Sequence, residues 1–243
     1  MLTIFYENHI PTSTEITISG DNAHHAIKVL RIKINEIIRI SDGSNEYCDI
    51  EVSKITGATF TGKILKRYEI KPRTQKLVAI QALPKSDRTK EMIELLVEAG
   101  VDEISPWQSS RSIGKLSDNW LSKWEQSIRA ASAQSRRVLL PKISSEFSGE
   151  FTQLVGEDKL LLVFHESGVQ KFSNWQESLV KDELEKYSQI SFLIGPEGGL
   201  TETEIENAKA AGGVILTLGE EVFRSAHAGI AVASIINFLL KRY

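Results

Sequence analysis

The amino-acid sequence predicts an α/β fold: a parallel sheet covered by helices, preceded by a small β-rich domain. Three observations carry this. Residues 77–106 read as strand, helix, strand. Residues 190–213 read as a buried strand, a glycine turn and a helix, and residues 214–240 repeat that order. Strands that alternate with helices favour a parallel sheet. Residues 1–70 show instead short strand-like runs broken by turns and one helix.

A chain of 243 residues suits one large or two small domains and can bury a substantial core. Its start lacks the basic region and long apolar core of a secretory signal, and no stretch has the length of a membrane helix. The single cysteine, Cys48, excludes an internal disulfide and a cysteine-based zinc cluster. A cytoplasmic protein without membrane or metal is expected. In the first domain, Asp21 is the expected N-cap of a helix over 22–30. Residues 29–40 alternate basic and apolar side chains, Asp42-Gly43 signals a hairpin turn, and 46–55 and 59–65 are strand candidates. Together they make a small β-barrel, with a linker over 68–74 and a domain boundary at about residue 70. His24 and His25 are available to a ligand, but a helix that packs a barrel makes one of them structural. Arg31, Lys33 and Arg39 are better phosphate candidates, because their cations neutralise backbone charge directly.

From residue 71 the α/β domain begins. Residues 77–83 are an apolar strand stopped by Pro84. Ser86 or Asp87 can cap a helix that places Met92, Leu95, Leu96 and Ala99 on one face, and Gly100 closes it before a strand over 101–106. Ser117 is the expected cap of a helix with Trp120, Trp124, Ile128 and Ala131 on one stripe. Seven residues separate Arg129 from Arg136, which puts both on one helical face. Net charge is only −3, which argues against a general nucleic-acid binder, but it is unevenly spread. Residues 71–143 carry 13 basic against 8 acidic side chains, while 144–243 carry 8 against 15. That basic third suits either a phosphate-facing surface or a solvated helix face.

The strand over 159–164 ends in a loop, residues 165–168, followed by a charged surface helix over 174–187. After the strand over 190–194, Gly195-Pro196 breaks the extended run and Gly198-Gly199 permit backbone that side chains resist. Thr201 and Glu204 have the spacing of a capping box, and Gly212-Gly213 suit the turn that ends the helix. Three glycines and a proline within five residues point to a ligand that approaches the backbone beyond the carboxyl ends of the strands. The last helix, 225–240, is apolar on nearly every side and rich in small residues. One face packs on its own sheet, and the other suits a homodimer. Arg224 precedes this helix, where the positive end of the helix dipole disfavours a cation, so helix stability does not explain it. The alternative role is a salt bridge to Glu220 or Glu221.

At these segments the chain resembles a known family. IGPEGGL (194–200) followed by LGEEVFRS (218–225) is similar to the RsmE-type small-subunit ribosomal RNA methyltransferases of the SPOUT class. So are HH (24–25), VLR (29–31), ISDG (40–43), QALPK (81–85) with Asp87 and Arg88, GVDEI (100–104) and SRS (110–112). The ordered set covers almost the whole chain. The resemblance implies a PUA-like RNA-binding barrel (1–70) and a knotted SPOUT methyltransferase domain (71–243). It implies a homodimer that transfers the methyl of S-adenosylmethionine to N3 of a uridine in 16S rRNA, within the 30S subunit. It places the cofactor on the three loops, at His165, Glu166, Ile194, Gly195, Glu197, Gly198, Gly199, Leu218, Gly219, Val222 and Phe223. As candidate roles, Arg224 holds the target uridine or a phosphate, and Glu197 either binds the cofactor, positions the base or simply favours the start of the following helix. Arg31, Lys33, Arg88, Arg111 and Arg136 are the expected RNA contacts.

Two positions depart from that pattern. The family usually carries glycine where this chain has Arg136, within QSRR (134–137), and Thr-Glu-Thr where it has Ser225, Ala226 and His227. Ala226 cannot do acid–base chemistry. His227 is the substitute the sequence offers, since imidazole near neutrality accepts a proton. Either a base removes the uridine N3 proton or the site stabilises the anion; both routes stay open. Two rival classes remain. A dehydrogenase-like nucleotide enzyme is disfavoured by the absence of Gly-x-Gly-x-x-Gly and of a P-loop. An RNA-binding SPOUT-fold protein with weak or no methyl transfer is left open by the altered 225–227 segment.

Overall fold

The computed structural model describes residues 2–85, 88–166, 168, 170–179 and 182–243, so the caps expected at Ser86 or Asp87 lie outside the described residues. The chain divides into two compact units, residues 1–72 with 129–140, and residues 73–128 with 141–243.

The first unit is a mixed five-stranded half-barrel. Its strands are β1 (Ile4–Tyr6), β2 (Glu15–Ile18), β3 (Ile37–Ser41), β4 (Glu46–Ile55) and β5 (Phe60–Glu69), in the order β1-β3-β4-β5-β2. Only β1 with β3 is parallel. Alternating side chains point inward: Ile16 and Ile18, Ile38 and Ile40, Cys48, Ile50 and Val52 form one buried cluster with Phe5 and Phe60. The hairpin at Asp42 forms because its Oδ1 accepts the N–H groups of Ser44, Asn45 and Glu46 within 3.0 Å. The expected helix starts earlier and ends differently. It runs as α1 (Gly20–His24) from an N-cap at Ser19, leaving Asp21 in its first turn, and continues as a wider π-helical turn over His25–Leu30. The strand expected from residue 29 therefore begins only at Ile37. Arg39, expected to face phosphate, is committed within the sheet. It forks onto Asp49 directly across the strand pair (2.7 and 3.0 Å) and lies over the Tyr47 ring.

Residues 129–140 belong to this unit through backbone acceptors: the Tyr6 hydroxyl donates to the Arg137 carbonyl, and the Ser41 hydroxyl to that of Val138 (2.6 Å). They include the end of α3 (Trp120–Gln134). Beyond it Arg136 adopts φ +58, its N–H bonded to Ala133 O and that of Arg137 to Ser132 O. This is the left-handed helix stop in which glycine is favoured, so the glycine of the family pattern suits this position and Arg136 holds a conformation that disfavours a side chain. Arg136 lies beyond the helix, so seven-residue spacing does not put it beside Arg129.

The second unit holds a seven-stranded sheet, parallel throughout. Its strands are β6 (Lys76–Ala82), β7 (Glu103–Trp107), β8 (Lys142–Ile143), β9 (Lys159–Phe164), β10 (Gln170–Lys171), β11 (Gln189–Ile194) and β12 (Val214–Thr217). They lie in the order β10-β12-β9-β11-β6-β7-β8. The central strands β6, β9 and β11 are buried after their first residue, as a sheet covered on both faces requires. Val78, Ile80, Leu161, Val163 and Leu193 pack with Phe151, Leu200 and Ala208, the last from α5 (Glu202–Ala210). The other face carries α6 (Ser225–Leu239), which packs on β6, β11 and α2 (Thr89–Glu98). Gly229 permits this crossing, since an added Cβ would stand 2.8 Å from Leu96 Cδ1's twin methyl, Cδ2. The chain end is pinned by Asp102, whose carboxylate accepts from Leu77 N–H (2.9 Å), Arg73 (2.8 Å) and Arg242 (3.1 Å). The long helix expected over 174–187 is instead a short α4 (Phe172–Ser178) and a separate turn at Glu183–Lys186; Phe172 and Trp175 of α4 are buried.

Arg136→Gly should raise the melting temperature, because left-handed backbone disfavours a side chain by about 1 kcal/mol. Thermal unfolding of the two proteins side by side checks this; an unchanged or lower midpoint would mean that the arginine side chain repays its strain.

Candidate active site

A wholly parallel sheet sends the carboxyl ends of all its strands to one edge. There the segments after β6, β9, β11 and β12 enclose a cleft of about 530 Å³, the size of a nucleotide-scale ligand site. Of the cofactor residues expected from the sequence, His165, Glu166, Ile194, Gly195, Glu197, Gly199, Leu218, Gly219, Val222 and Phe223 line it. Gly198 does not. It faces away, where an added Cβ would be 3.3 Å from Arg111 Cβ.

The glycine turn is built from local constraints. Gly199 donates its N–H to the Pro196 carbonyl (2.9 Å) at φ +70, a conformation that favours glycine. An added Cβ at Gly195 would come within 3.0 Å of Leu200. The expected capping box at Thr201 and Glu204 is present, and Glu204 does more than cap. Its Oε1 also accepts the Ser110 N–H (2.9 Å), tying the loop after β7 to the start of α5. Burial pushes the Glu204 carboxyl up, but the N–H groups of Ser110 and Thr201 and the Thr201 hydroxyl outweigh it and hold the group below its ordinary value. Arg111 acts on the same turn, donating to the carbonyls of Gly198 (3.0 Å) and Leu200 (3.3 Å).

Arg224 lines the cleft as the N-cap of α6, and its side chain is exposed. Among the described residues neither Glu220 nor Glu221 pairs with it; Glu220 instead meets Lys171 at 3.2 Å. Lys85 and Arg88 add two more cations to the lining. The Glu197 carboxylate accepts the Lys85 N–H at 3.5 Å, a long bond. His227 is not among the lining residues. Its Nε2 lies 3.1 Å from Glu91 Oε1 on α2, which leaves it outside the cleft where the sequence offered it as a base. Arg31, Lys33 and Arg136 belong to the first unit, and all three are exposed. Ser225 and Gln81 escaped the sequence reading. Ser225 lines the cleft and Gln81 lies beneath it on β6, bonded to the Ser225 hydroxyl. A glutamine in an otherwise apolar strand was the available signal.

Comparison with known proteins agrees with this architecture. Residues 71–237 match the family of RNA methyltransferase domains, and residues 18–65 match the RNA methyltransferase PUA domain. The chain is 28% identical to the ribosomal RNA small subunit methyltransferase E of Mycobacterium bovis, covering 99% of this chain and 93% of that protein. It is 29% identical to the protein of that name from Bacillus subtilis, covering 96% and 93%. The crystal structure of a ribosomal RNA small subunit methyltransferase E from Neisseria gonorrhoeae, bound to S-adenosyl methionine, superposes with a TM-score of 0.81. It covers 98% of both chains at 24% identity.

Because the Glu204 carboxyl is held below its ordinary 4.5, its contribution to stability is complete above that value. It is lost as pH falls through the lower folded-state value. Glu204→Gln should therefore melt lower than the parent near neutrality and show a shallower loss on acidification. Melting curves from about pH 7 to about pH 3 that remain parallel would remove this role.

Proposed function

We propose, for a chain that belongs to the RNA methyltransferase family, that it transfers a methyl group from S-adenosylmethionine to N3 of a uridine in the 16S rRNA of the small ribosomal subunit. The observation that carries the reading is the cleft at the carboxyl edge of the parallel sheet, with an exposed arginine, Arg224, in its lining and no carboxylate paired to it among the described residues. The cleft's volume and its lining of glycine backbone fit the cofactor, whose adenine edge backbone N–H and C=O groups can read. When bound, that cofactor supplies an electrophilic methyl on a sulfonium.

The roles follow from chemistry. Gly195, Gly199, Leu218 and Gly219 bring backbone to the ligand, and Ile194, Val222 and Phe223 give apolar walls. Arg224 offers two parallel N–H donors to the target base or an adjoining phosphate. Loss of the N3 proton to water leaves charge on N3 and on the exocyclic carbonyl oxygens O2 and O4, which a guanidinium stabilises. That route is favoured over a histidine base, because His227 is held on Glu91. Glu197 stays as an assisting residue at the mouth. Arg31, Lys33, Arg88, Arg111 and Arg136 remain RNA contacts in this reading, with Arg111 also bracing the glycine turn. The first unit serves as the RNA-binding module, the second as the catalytic domain. The return of the chain from β12 to α6 is taken as the threaded loop of the SPOUT class. The setting is the cytoplasm, on 30S particles. RNA binding with weak or no transfer is the second reading, motivated by Ala226.

Arg224→Ala should lower kcat by about 100-fold or more while S-adenosylmethionine affinity by calorimetry changes little, and Arg224→Lys should recover little, because ammonium lacks the planar fork. Normal turnover in the alanine variant would put the reacting base elsewhere. Gly219→Val is the matching cofactor test. An added Cβ there meets nothing closer than 4.0 Å, so the protein should fold normally and bind the cofactor poorly.

The same reading makes the protein a homodimer. On α6 the inward residues are buried, but Ile235 is 40% and Phe238 70% exposed, an apolar stripe that suits a twofold contact. Sedimentation equilibrium should give twice the 27.1 kDa chain mass, and Ile235→Glu should yield monomer. An active parent monomer at micromolar concentration would contradict the assembly.

A further inference from the structure

Gln81 is wholly buried on β6, between apolar neighbours. Its Nε2 donates to the Ser225 hydroxyl (3.1 Å) and to the Ala82 carbonyl (3.3 Å), and Ser225 in turn donates to the Gly195 carbonyl (2.7 Å). Its Oε1 has no hydrogen-bond partner among the described residues. That oxygen lies against α6 at Gly229, where an added Cβ would stand 3.2 Å from it. A buried acceptor left unmade is a net cost to folding. An apolar side chain of similar length would avoid that cost, so stability does not account for glutamine at this position.

What the amide does is join three separate pieces of the cleft. It reaches from the end of β6 to Ser225, and through Ser225 to the first residue of the glycine turn. Ser225 is also the residue that follows Arg224 and opens α6. We infer that Gln81 is a positioning residue: it fixes the Ser225 hydroxyl on the Gly195 carbonyl, and so sets the glycine turn against the turn of helix that carries Arg224. The orientation of the hydroxyl follows from the bond order. The amide can only donate from Nε2, so Ser225 must accept there and direct its own proton to Gly195.

The inference rests on the functional reading above, and the experiment separates the two. Parent, Gln81→Met, Ser225→Ala, Ser225→Thr and the double variant Gln81→Met/Ser225→Ala are compared for melting temperature, S-adenosylmethionine affinity and kcat on 30S subunits. A parent that neither binds the cofactor nor transfers methyl sinks the functional reading itself. With an active parent, Gln81→Met should melt at or above the parent temperature, yet lose about 10-fold or more in kcat. Ser225→Ala should lose a similar factor, Ser225→Thr should recover most of it, and the double variant should be no worse than either single. Parent-like kcat in Gln81→Met overturns the inference, as does a double variant whose loss is the product of the singles. A melting temperature that falls in step with kcat makes Gln81 merely structural. If Gln81→Met does not fold, parent-like kcat in Ser225→Ala overturns it alone.

Discussion

The hydrogen bond from the Ser225 hydroxyl to the Gly195 carbonyl, 2.7 Å long and almost free of solvent, is the contact on which the candidate site depends. It joins segments that the sheet alone would leave apart. The chain leaves β11 at Gly195, makes α5, returns as β12 on the far side of β9, and must then come back across the sheet to lay α6 on β6 and β11. Small residues make that return possible: Ala226, Ala228, Gly229 and Ala233 lie on the buried side of the helix, with Val232 and Ile236. The bond then holds the first turn of α6 against the glycine turn, so Arg224 and the loop backbone face one cleft. In a water-poor environment a satisfied polar contact of this kind is strong, and its loss would leave a buried carbonyl unpaired.

The chemistry asked of the site fits its charges. Lys85, Arg88 and Arg224 share the lining with Glu166, Glu197, Glu220 and Glu221. A lining that is negative on balance accommodates a cationic cofactor, and in the proposed reaction its cations would stabilise a base that becomes anionic. The polar framework under the cleft is tightly bonded. Arg111 and Glu204 hold the glycine turn and the adjoining loop from opposite ends, through backbone groups that any sequence would present.

Much of this was legible in the sequence, for local reasons. Strands β6, β9 and β11 were within a residue of their expected bounds because buried parallel strands are continuous apolar runs, and Pro84 and Gly195 close two of them. The Thr201–Glu204 capping box needed only four residues to identify. The losses came where a distant partner decides. Arg39 is spoken for by Asp49 and Tyr47 across the sheet, which no single strand reveals. The end of α1 widens into a π-helical turn, invisible to a pattern of 3.6 residues. Residues 129–140 join the first unit through the carbonyls of Arg137 and Val138, and backbone groups leave no mark on composition. His227 looked poised beside Arg224, but helical geometry turns it toward Glu91.

One measurement bears on the central claim more directly than any other. Purified protein would be incubated with 30S subunits lacking the modification and S-adenosylmethionine labelled in its methyl group, and the 16S rRNA digested to nucleosides for mass spectrometry. The account requires label in N3-methyluridine, at a single position and close to one methyl per subunit. Label on another base, on a ribose or at a uracil carbon would contradict the assigned chemistry, and binding to the subunit without any transfer would make this an RNA-binding protein on a methyltransferase fold.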